Sequence, residues 1–283
     1  MAMKFCLRYE NSHLSKLADE VVAKLAVMGQ SIGSQNVCIN NFGAGSDDDN
    51  GAPDIVIWLS EERGIELSSP EYDLKARVGI SFHQGSNRHR RQFGGGKSQL
   101  IAKAVGIESG IYPNILDATA GFGSDAFVLA GIGSRVTAVE RSSLLVLMLE
   151  QARQRALEFS QAGDSMLKEV LSRLHFIESE AIDYLDVVEP ELAQVVYLDP
   201  MFPEKKKNAS VKKDMVVLQT LLAGSVQNEQ QLLDVALETA SHRVVVKRPR
   251  HAPPIAGVTP GYALNGKSTR FDVYPKKALK RLD

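Results

Sequence analysis

The pattern of hydrophobic and polar positions divides the chain into two parts with different periodicity. In the first part, apolar residues recur at helical spacing from Leu14 to Met28, and the apolar runs DIVIWLS and GIELS flank a turn-like EERG, which predicts a β-hairpin. A polar, Gly- and Asp-rich loop, Ala44 to Asp54, separates the helix from the hairpin. We interpret residues 1–95 as a small N-terminal α+β domain, with Trp58 in its core.

In the second part, residues 96–283, short apolar runs alternate with segments of helical periodicity. Helices are predicted in SDAFVLAGIG, in SSLLVLMLEQARQRALEF with Ser142 or Ser143 as N-cap, and near 215–222 and 228–241. The predicted strands are Asn114–Thr119, Arg135–Glu140, His175–Ser179, Val195–Asp199 and Arg243–Lys247, with a final pair in GYALNGK and STRFDVYP. This alternation predicts an α/β domain built on a doubly wound, parallel sheet.

Composition and charge narrow the class of protein. The net charge is -1, so binding to nucleic acid would have to come from local basic clusters rather than from the charge of the whole protein. Cys6 and Cys38 do not have zinc-ligand spacing, and we expect no metal site. Two isolated thiols suit a reducing compartment, and no apolar run is long enough for a signal peptide or a membrane span. We therefore expect a cytoplasmic protein that does not bind membranes.

The glycine-rich stretch LDATAGFGSDAF follows the first strand of the second part. In an open α/β sheet the ligand binds beyond the carboxyl ends of the strands, and Gly121 and Gly123 would let the backbone approach it closely. Glu140 ends the next strand, where a carboxylate can accept both hydroxyls of a ribose. The pattern also fits the dinucleotide fingerprint, so an NAD-dependent oxidoreductase is an alternative. Asp117, placed before the glycines, suits a cationic ligand better than a pyrophosphate.

A second glycine-rich stretch, FGGGKSQ, resembles a phosphate-binding loop only in part. That motif needs a glycine at the position of Arg91, and no apolar strand leads into it. We interpret the stretch as an entry to the helix QLIAKAVGI rather than as a triphosphate site.

The stretch VVYLDPMFPEKKK, Val195–Lys207, ends the fourth strand with an acid, an aromatic residue and a run of lysines. A nucleobase amino group is a weak nucleophile because its lone pair is delocalised, and two acceptors on its N–H bonds would favour a reactive, pyramidal geometry. The Asp199 carboxylate and the Pro200 carbonyl are such acceptors. Phe202 can stack on the base, which is worth about 1–3 kcal/mol. The base must leave its stack to reach this pocket. A sulfonium methyl donor then needs only in-line approach.

Three basic clusters are predicted to hold phosphates of an RNA substrate. One cluster precedes the glycine-rich entry, one follows DPMF, and one follows the fifth strand at the same edge of the sheet as Asp199. Their members are Arg88, Arg90, Arg91, Lys205, Lys206, Lys207, Lys212, Lys213, Lys247, Arg248 and Arg250. A solvated loop is the alternative for an isolated lysine run, but its position beside Asp199 favours RNA contact.

Several of these stretches together resemble the ribosomal RNA small subunit methyltransferase J family. They are LDATAGFGSDAFVLA, the pair Glu140 and Arg141, YLDPMFPEKKKNASVKK, RRQFGGGKSQLIAKAVG, VVVKRPRHAP and RFDVYP. The resemblance covers most of the chain from about residue 60. Many amino-methyltransferases carry D/N-P-P-F/Y at this site, whereas Met201 replaces the second proline here.

The resemblance implies a class I methyltransferase fold, which is Rossmann-like, with a mostly parallel seven-stranded sheet and helices on both faces. It implies S-adenosyl-L-methionine as cofactor, methylation of a guanosine N2 amine, and 16S rRNA or the small ribosomal subunit as partner. The family's cofactor positions fall on Ser124, Asp125, Glu140, Arg141 and Asp199, and on Glu180 and Ala181, where the family usually has two serines.

Three other functions remain open at this point. The same chemistry could act on an amino group of tRNA or DNA, and the NAD-dependent oxidoreductase remains a less favoured alternative. A non-catalytic RNA-binding protein is the third, but such a protein would have no need of Asp117, Glu140 and Asp199 together.

Overall fold

The computed structural model describes residues 5–9, 12–28, 37–41, 53–70, 74–85, 96–200, 213–222 and 228–280. These residues form two compact units, and each unit contains one sheet. One unit takes the described residues of Met1–Ser81, Ser142–Ala152 and Phe202–Ser225, and the other takes those of Phe82–Arg141, Arg153–Met201 and Val226–Asp283. The units interleave along the chain, and a domain boundary at residue 95 stays a prediction.

The first unit contains a five-stranded sheet of order β2-β1-β3-β4-β5. Its strands are β1 (Phe5–Tyr9), β2 (Val37–Asn41), β3 (Ile55–Ser60), β4 (Gly64–Ser68) and β5 (Val78–Gly79). The predicted hairpin is confirmed, because β3 and β4 pair antiparallel. Strands β1 and β2 were not predicted; β1 pairs in parallel with β2 and with β3, so no short turn in the sequence marks either partner.

Helices complete this unit. Helix α1 (Ser15–Met28) follows a 3-10 turn and agrees with the predicted helix. Trp58 is a core residue as predicted: it is 7% exposed, and its Nε1 donates a hydrogen bond to Ser68 Oγ at 2.8 Å. The Arg77 guanidinium carbon lies 3.8 Å from the centre of the Trp58 ring, so a cation–π contact covers the indole.

The second unit contains a seven-stranded sheet of order β11-β12-β10-β9-β6-β7-β8. Its strands are β6 (Ile115–Asp117), β7 (Val136–Glu140), β8 (Leu174–Glu178), β9 (Val195–Leu198), β10 (Arg243–Pro249), β11 (Tyr262–Asn265) and β12 (Thr269–Pro275). Five neighbouring strands, β8 to β10 in sheet order, are parallel, and β12 runs antiparallel to both β10 and β11. The predicted seven-stranded, mostly parallel sheet is confirmed.

The remaining helices alternate with these strands. They are α2 (Leu100–Val105), α3 (Ser124–Ile132), α4 (Ser143–Ser160), α5 (Ser165–Ser172), α6 (Ala181–Leu185), α7 (Lys213–Leu221) and α8 (Glu229–Thr239). Ser142 caps α4, since its Oγ accepts from Leu145 N at 3.4 Å. Helix α5 was not predicted, although Asp164 caps it by accepting from Leu167 N at 2.9 Å. None of the helices in the described part of the chain is long and apolar enough to span a membrane.

The core of the second unit fixes the position of the strand ends. Helices α6 and α8 pack on the sheet through fully buried side chains, among them Leu116, Val196, Val244, Leu232 and Leu233. From β6 the chain proceeds outward to β7 and β8, and it then crosses to β9 and β10 on the other side of β6. The order of the strands therefore reverses between β6 and β9, which is where open α/β sheets bind their ligands.

Candidate active site at the carboxyl ends of the strands

The turn that follows β6 is held by the two neighbouring strands. Ala118 N donates a hydrogen bond to Tyr197 O of β9 at 3.0 Å, and Ala120 N donates to Val139 O of β7 at 3.0 Å. The glycine-rich turn is therefore fixed with respect to the ends of both strands.

Two glycines shape this turn. Gly121 has φ of +52° and Gly123 has φ of +69°, a left-handed conformation that residues with a Cβ rarely adopt. Gly123 is the N-cap of α3, so Ser124 and Asp125 begin the helix. This geometry is consistent with the predicted close approach of the backbone to a ligand. Contact of Gly121, Gly123, Ser124 and Asp125 with the cofactor stays a prediction.

Glu140 ends β7 beside the glycine turn. It is 6% exposed, and its Oε2 accepts a hydrogen bond from Gly121 N at 2.9 Å. That bond joins the carboxylate to the turn. We call the space beyond the carboxyl ends of β6, β7, β9 and β10 the crevice, and Glu140 and the glycines lie at one side of it. The half-buried Arg141 follows directly. This position suits the ribose-binding role predicted for Glu140.

Asp117, the last residue of β6, carries a buried carboxyl group. It is 2% exposed, and Oδ1 accepts from Thr119 N at 3.1 Å. Burial raises the pKa of Asp117 to about 8, and the nearby Asp125 and Asp199 add to the rise, although the Thr119 hydrogen bond opposes it. The side chain is therefore mostly protonated at neutral pH.

Asp199 and Pro200 follow β9 at the same edge. Asp199 N donates to Thr119 Oγ1 at 2.6 Å, so the backbone beyond β9 is bound to the turn after β6. The Asp199 side chain keeps 38% of its surface exposed, whereas Pro200 is buried. Burial raises the pKa of Asp199 and Asp125 adds to this effect, while Lys247 lowers it. The prediction that Asp199 and the glycine turn lie at the same edge of the sheet is therefore confirmed.

Lys247 of β10 joins two of the predicted cofactor residues. Its Nζ donates to Asp125 Oδ2 at 2.7 Å and to Asp199 Oδ2 at 2.8 Å. Tyr197 Oη also donates to Asp125 Oδ2, at 2.7 Å. Although burial alone would lower the pKa of Lys247, the two carboxylates raise it above its usual value. Sequence reasoning missed Thr119 and Tyr197, because nothing in a single sequence pairs residues so far apart.

The basic residues of the KRPRH stretch lie in three different environments. Lys247 is bonded to carboxylates, and Arg248 is 3% exposed, with its Nε donating to Pro253 O at 3.0 Å. The burial of the Arg248 side chain disfavours contact with phosphate, and the Lys247 ammonium faces the crevice; RNA contact by either residue stays a prediction. Both residues belong to β10, where successive side chains alternate between faces. Arg250 lies beyond the strand and is exposed.

The third cofactor pair lies at the start of α6. Ser179 N donates to Glu140 O at 3.1 Å, so the segment after β8 is close to the end of β7. Glu180 is exposed at the N-cap position of α6, and Ala181 is buried as the first helical residue. Glu180 thus remains available to a ligand, while Ala181 could offer only its backbone.

Several predicted site residues lie at or beyond the limits of the described ranges. Lys213 begins α7, but its side chain is not described. The residues that lie outside the described ranges are Arg88, Arg90, Arg91, Phe202, Lys205, Lys206, Lys207 and Lys212. Within the described ranges, no group of three or more His, Cys, Asp or Glu side chains could hold a metal ion.

The crevice fits a cofactor that carries a positive charge. Asp117 is a buried carboxyl group whose hydrogen bond comes from a backbone amide, and Asp125 and Asp199 share the single ammonium of Lys247. The three carboxyl groups repel one another when ionised. A bound cationic group would offset this repulsion. Glu140 and the glycine turn would hold the uncharged part of such a molecule.

Comparisons with known proteins agree with this site. Residues 48–276 match a family model described as "Putative SAM-dependent methyltransferase". The ribosomal RNA small subunit methyltransferase J of Pseudomonas syringae pv. syringae (strain B728a) is 46% identical over 227 residues, which cover 80% of this chain and 82% of the relative. The protein of the same name from Stutzerimonas stutzeri (strain A1501) is 48% identical over 219 residues, or 77% and 83% of the two chains.

A solved structure extends the likeness to the fold. The crystal structure of a SAM-dependent methyltransferase from Neisseria gonorrhoeae has a TM-score of 0.61 and 28% identity, and the match covers 95% of each chain. Together with the glycine turn, Glu140 and the acid after β9, these matches establish the class of enzyme and its cofactor. The chain belongs to the ribosomal RNA small subunit methyltransferase J family, whose members use S-adenosylmethionine as methyl donor.

Proposed function

We propose that this protein methylates the exocyclic N2 amine of a guanosine in 16S ribosomal RNA, with S-adenosylmethionine as donor. The observation that carries the proposal is the position of Asp199 and Pro200 directly after β9, where the Asp199 backbone is bonded to the turn after β6. The names of the relatives indicate small-subunit rRNA as the substrate class. The proposal includes a cytoplasmic location, where such RNA is found.

The residues of this chain would act by binding and orienting the reactants. S-adenosylmethionine supplies an electrophilic methyl group when it is bound. Asp199 would accept one hydrogen bond from the target amine and the Pro200 carbonyl would accept the other, so the nitrogen lone pair points away from both. The Asp199 carboxylate is also placed to take the proton that the nitrogen loses after its bond to carbon has formed. Positioning of this kind can account for a large part of the barrier reduction.

Methyl transfer to defined nucleic acids tests the proposal. The protein is incubated with isotopically labelled S-adenosylmethionine and with 16S rRNA, or small subunits, that lack the modification; tRNA and DNA serve as parallel substrates. We expect label in N2-methylguanosine from the rRNA samples, identified by mass spectrometry of nucleosides. Label found only in tRNA or DNA would show that rRNA is not the substrate. Tight NAD binding without S-adenosylmethionine binding would show that the protein is not a methyltransferase.

An exposed basic edge lies next to the crevice. Arg250 N donates to Ser268 O at 3.0 Å, so the residues after β10 are close to the β11–β12 hairpin, which carries the exposed Lys267. Arg270 supports this arrangement by donating to Arg250 O at 3.1 Å and to both carboxylate oxygens of Asp272. Arg250 and Lys267 are therefore held at one end of the sheet, where they suit phosphate contacts.

Replacing Arg250 with alanine is expected to weaken RNA binding and to leave kcat at saturating RNA unchanged. One lost phosphate contact should reduce the slope of log K against log salt by about 1. Filter binding over a series of salt concentrations measures the slope. Lys277→Ala is the matched control, because Lys277 is an exposed basic residue whose amide bonds to His242 O, at the opposite end of β10. Equal salt slopes in Arg250→Ala and Lys277→Ala would show that Arg250 does not contact the RNA.

A further inference from the structure

Lys247 connects three elements of the crevice. It lies on β10, and its Nζ donates to Asp125 in the first turn of α3 and to Asp199 after β9, at 2.7 Å and 2.8 Å. Its side chain is 28% exposed, so the ammonium is partly shielded from water. Ion pairs with this degree of shielding and this geometry are stronger than pairs on an open surface.

The Asp125 end of this connection is fixed from a second side. The Oδ2 atom that accepts from Lys247 also accepts from Tyr197 Oη at 2.7 Å. Tyr197 belongs to β9 and is fully buried, so its hydroxyl is held by the core. Asp125 is therefore a second, independently held partner of the Lys247 ammonium.

Within the described part of the chain, the Asp199 side chain is bonded through one of its two oxygens. Oδ2 accepts from Lys247, and the backbone nitrogen is bonded to Thr119 Oγ1 at 2.6 Å. Among the residues that the structure describes, none donates a hydrogen bond to Asp199 Oδ1. A bond to one oxygen restricts rotation of the carboxylate and leaves the other oxygen in a defined direction.

We propose that Lys247 is a positioning residue, which holds the Asp199 carboxylate so that Oδ1 is presented to the target amine. This inference rests on the proposed function for the identity of that amine, but the pairing itself does not. The Lys247 ammonium had been predicted to bind phosphate; its place between two carboxylates assigns it to the catalytic edge instead.

The charges around Asp199 give the proposal a measurable signature. Among the described residues, the titratable groups that interact with it are Asp117, Asp125, Tyr197 and Lys247. Burial and Asp125 raise the pKa of Asp199, whereas Lys247 lowers it both by its charge and by its hydrogen bond. Loss of the ammonium should therefore raise the pKa of Asp199 further, and the carboxylate form would disappear at a higher pH.

The pairing is tested without any substrate. Lys247→Met removes the charge and keeps much of the volume, Lys247→Arg keeps the charge, and Lys276→Met is the control, because Lys276 bonds to carbonyls of α8 away from the crevice. The Asp199 carboxyl carbon is followed by NMR against pH in aspartate-labelled protein, with Asp199→Asn identifying the signal. The midpoint should rise in Lys247→Met only. An unchanged midpoint overturns the pairing.

The kinetic role is tested with the RNA substrate. In Lys247→Met we expect kcat to fall by about 10²-fold, because misplacing a reactive group by a small distance slows the reaction strongly. We also expect the acid limb of kcat against pH to move to higher pH. Lys247→Arg should recover most of the activity, and S-adenosylmethionine binding and thermal melting show whether each variant is folded. A raised NMR midpoint with unchanged kcat would overturn the positioning role. Wild-type protein inactive on rRNA would instead contradict the proposed function, and the NMR result would still decide the pairing.

Discussion

Replacing Asp199 with alanine is expected to lower kcat for methylation of the RNA by roughly 10²–10⁴-fold, the range typical of a positioned acid–base group. The variant removes the oxygen that would accept the amine N–H and the group that would take its proton. S-adenosylmethionine affinity should be largely retained, because Asp117, Asp125 and Glu140 remain. Lys247 keeps its bond to Asp125, so the fold around the crevice should persist. Single-turnover methyl transfer and calorimetric titration measure the two properties.

The matched control for this variant is Asp186→Ala, since Asp186 is an exposed acid at the end of α6. Its kcat and cofactor affinity should equal those of the wild type. If Asp199→Ala retained wild-type kcat, the acceptor role assigned to this residue would be wrong. If instead cofactor binding disappeared together with activity, Asp199 would act chiefly as part of the cofactor site.

Replacing Asp117 with asparagine is expected to remove a large pH dependence of stability. The pKa of Asp117 rises from the usual 3.8 to about 8 in the folded protein, so between these values the unfolded chain releases a proton that the folded protein keeps. The free energy of unfolding should therefore fall as pH rises from about 4 to 8, by several kcal/mol from this residue at most. Below pH 4 and above pH 8 its contribution should be constant.

Urea denaturation at a series of pH values between 5 and 9 measures this effect. The wild-type protein should lose stability over that range, and Asp117→Asn should lose less. Asp183→Asn, at an exposed acid of α6, should follow the wild-type curve. Identical slopes for Asp117→Asn and wild type would show that Asp117 is ionised in the folded protein. The neutral form matters for function, because a cation bound beside Asp117 would favour release of its proton.

The sequence was sufficient for most of the second unit because its strands and helices carry strong local signals. The apolar runs that predicted β6, β7, β8, β9 and β10 all became strands, with ends displaced by one or two residues. Parallel strands bring their carboxyl ends to one edge, so the order of elements alone was enough to place Glu140 and Asp199 near the glycine turn. The short helices α5 and α6 were missed. Leu167, Val170 and Leu171 of α5 do recur at helical spacing, but an apolar pattern of so few residues does not distinguish a helix from another buried segment.

The basic residues show where local reading fails. KRPRH looks like one positively charged patch, but Lys247 is bonded to two carboxylates, Arg248 is buried against Pro253, and Arg250 is exposed. Charge at a position can be read from sequence. The direction in which the charged side chain points depends on where the strand ends. Its partners depend on which acids from other elements come within bonding distance, and both are properties of the folded chain.

The sequence by itself determined the class of fold, the glycine turn, and the acid that follows the fourth strand of the main sheet, because each is encoded by residues adjacent along the chain. Only the tertiary structure decided the connections from Tyr197 through Asp125 and Lys247 to Asp199, and the bond between Asp199 and Thr119. These partners lie in α3, β9 and β10 or directly after β6 and β9, and the bonded pairs are far apart in the sequence. Their hydrogen bonds depend on distances of about 3 Å, which arise only when the sheet has assembled.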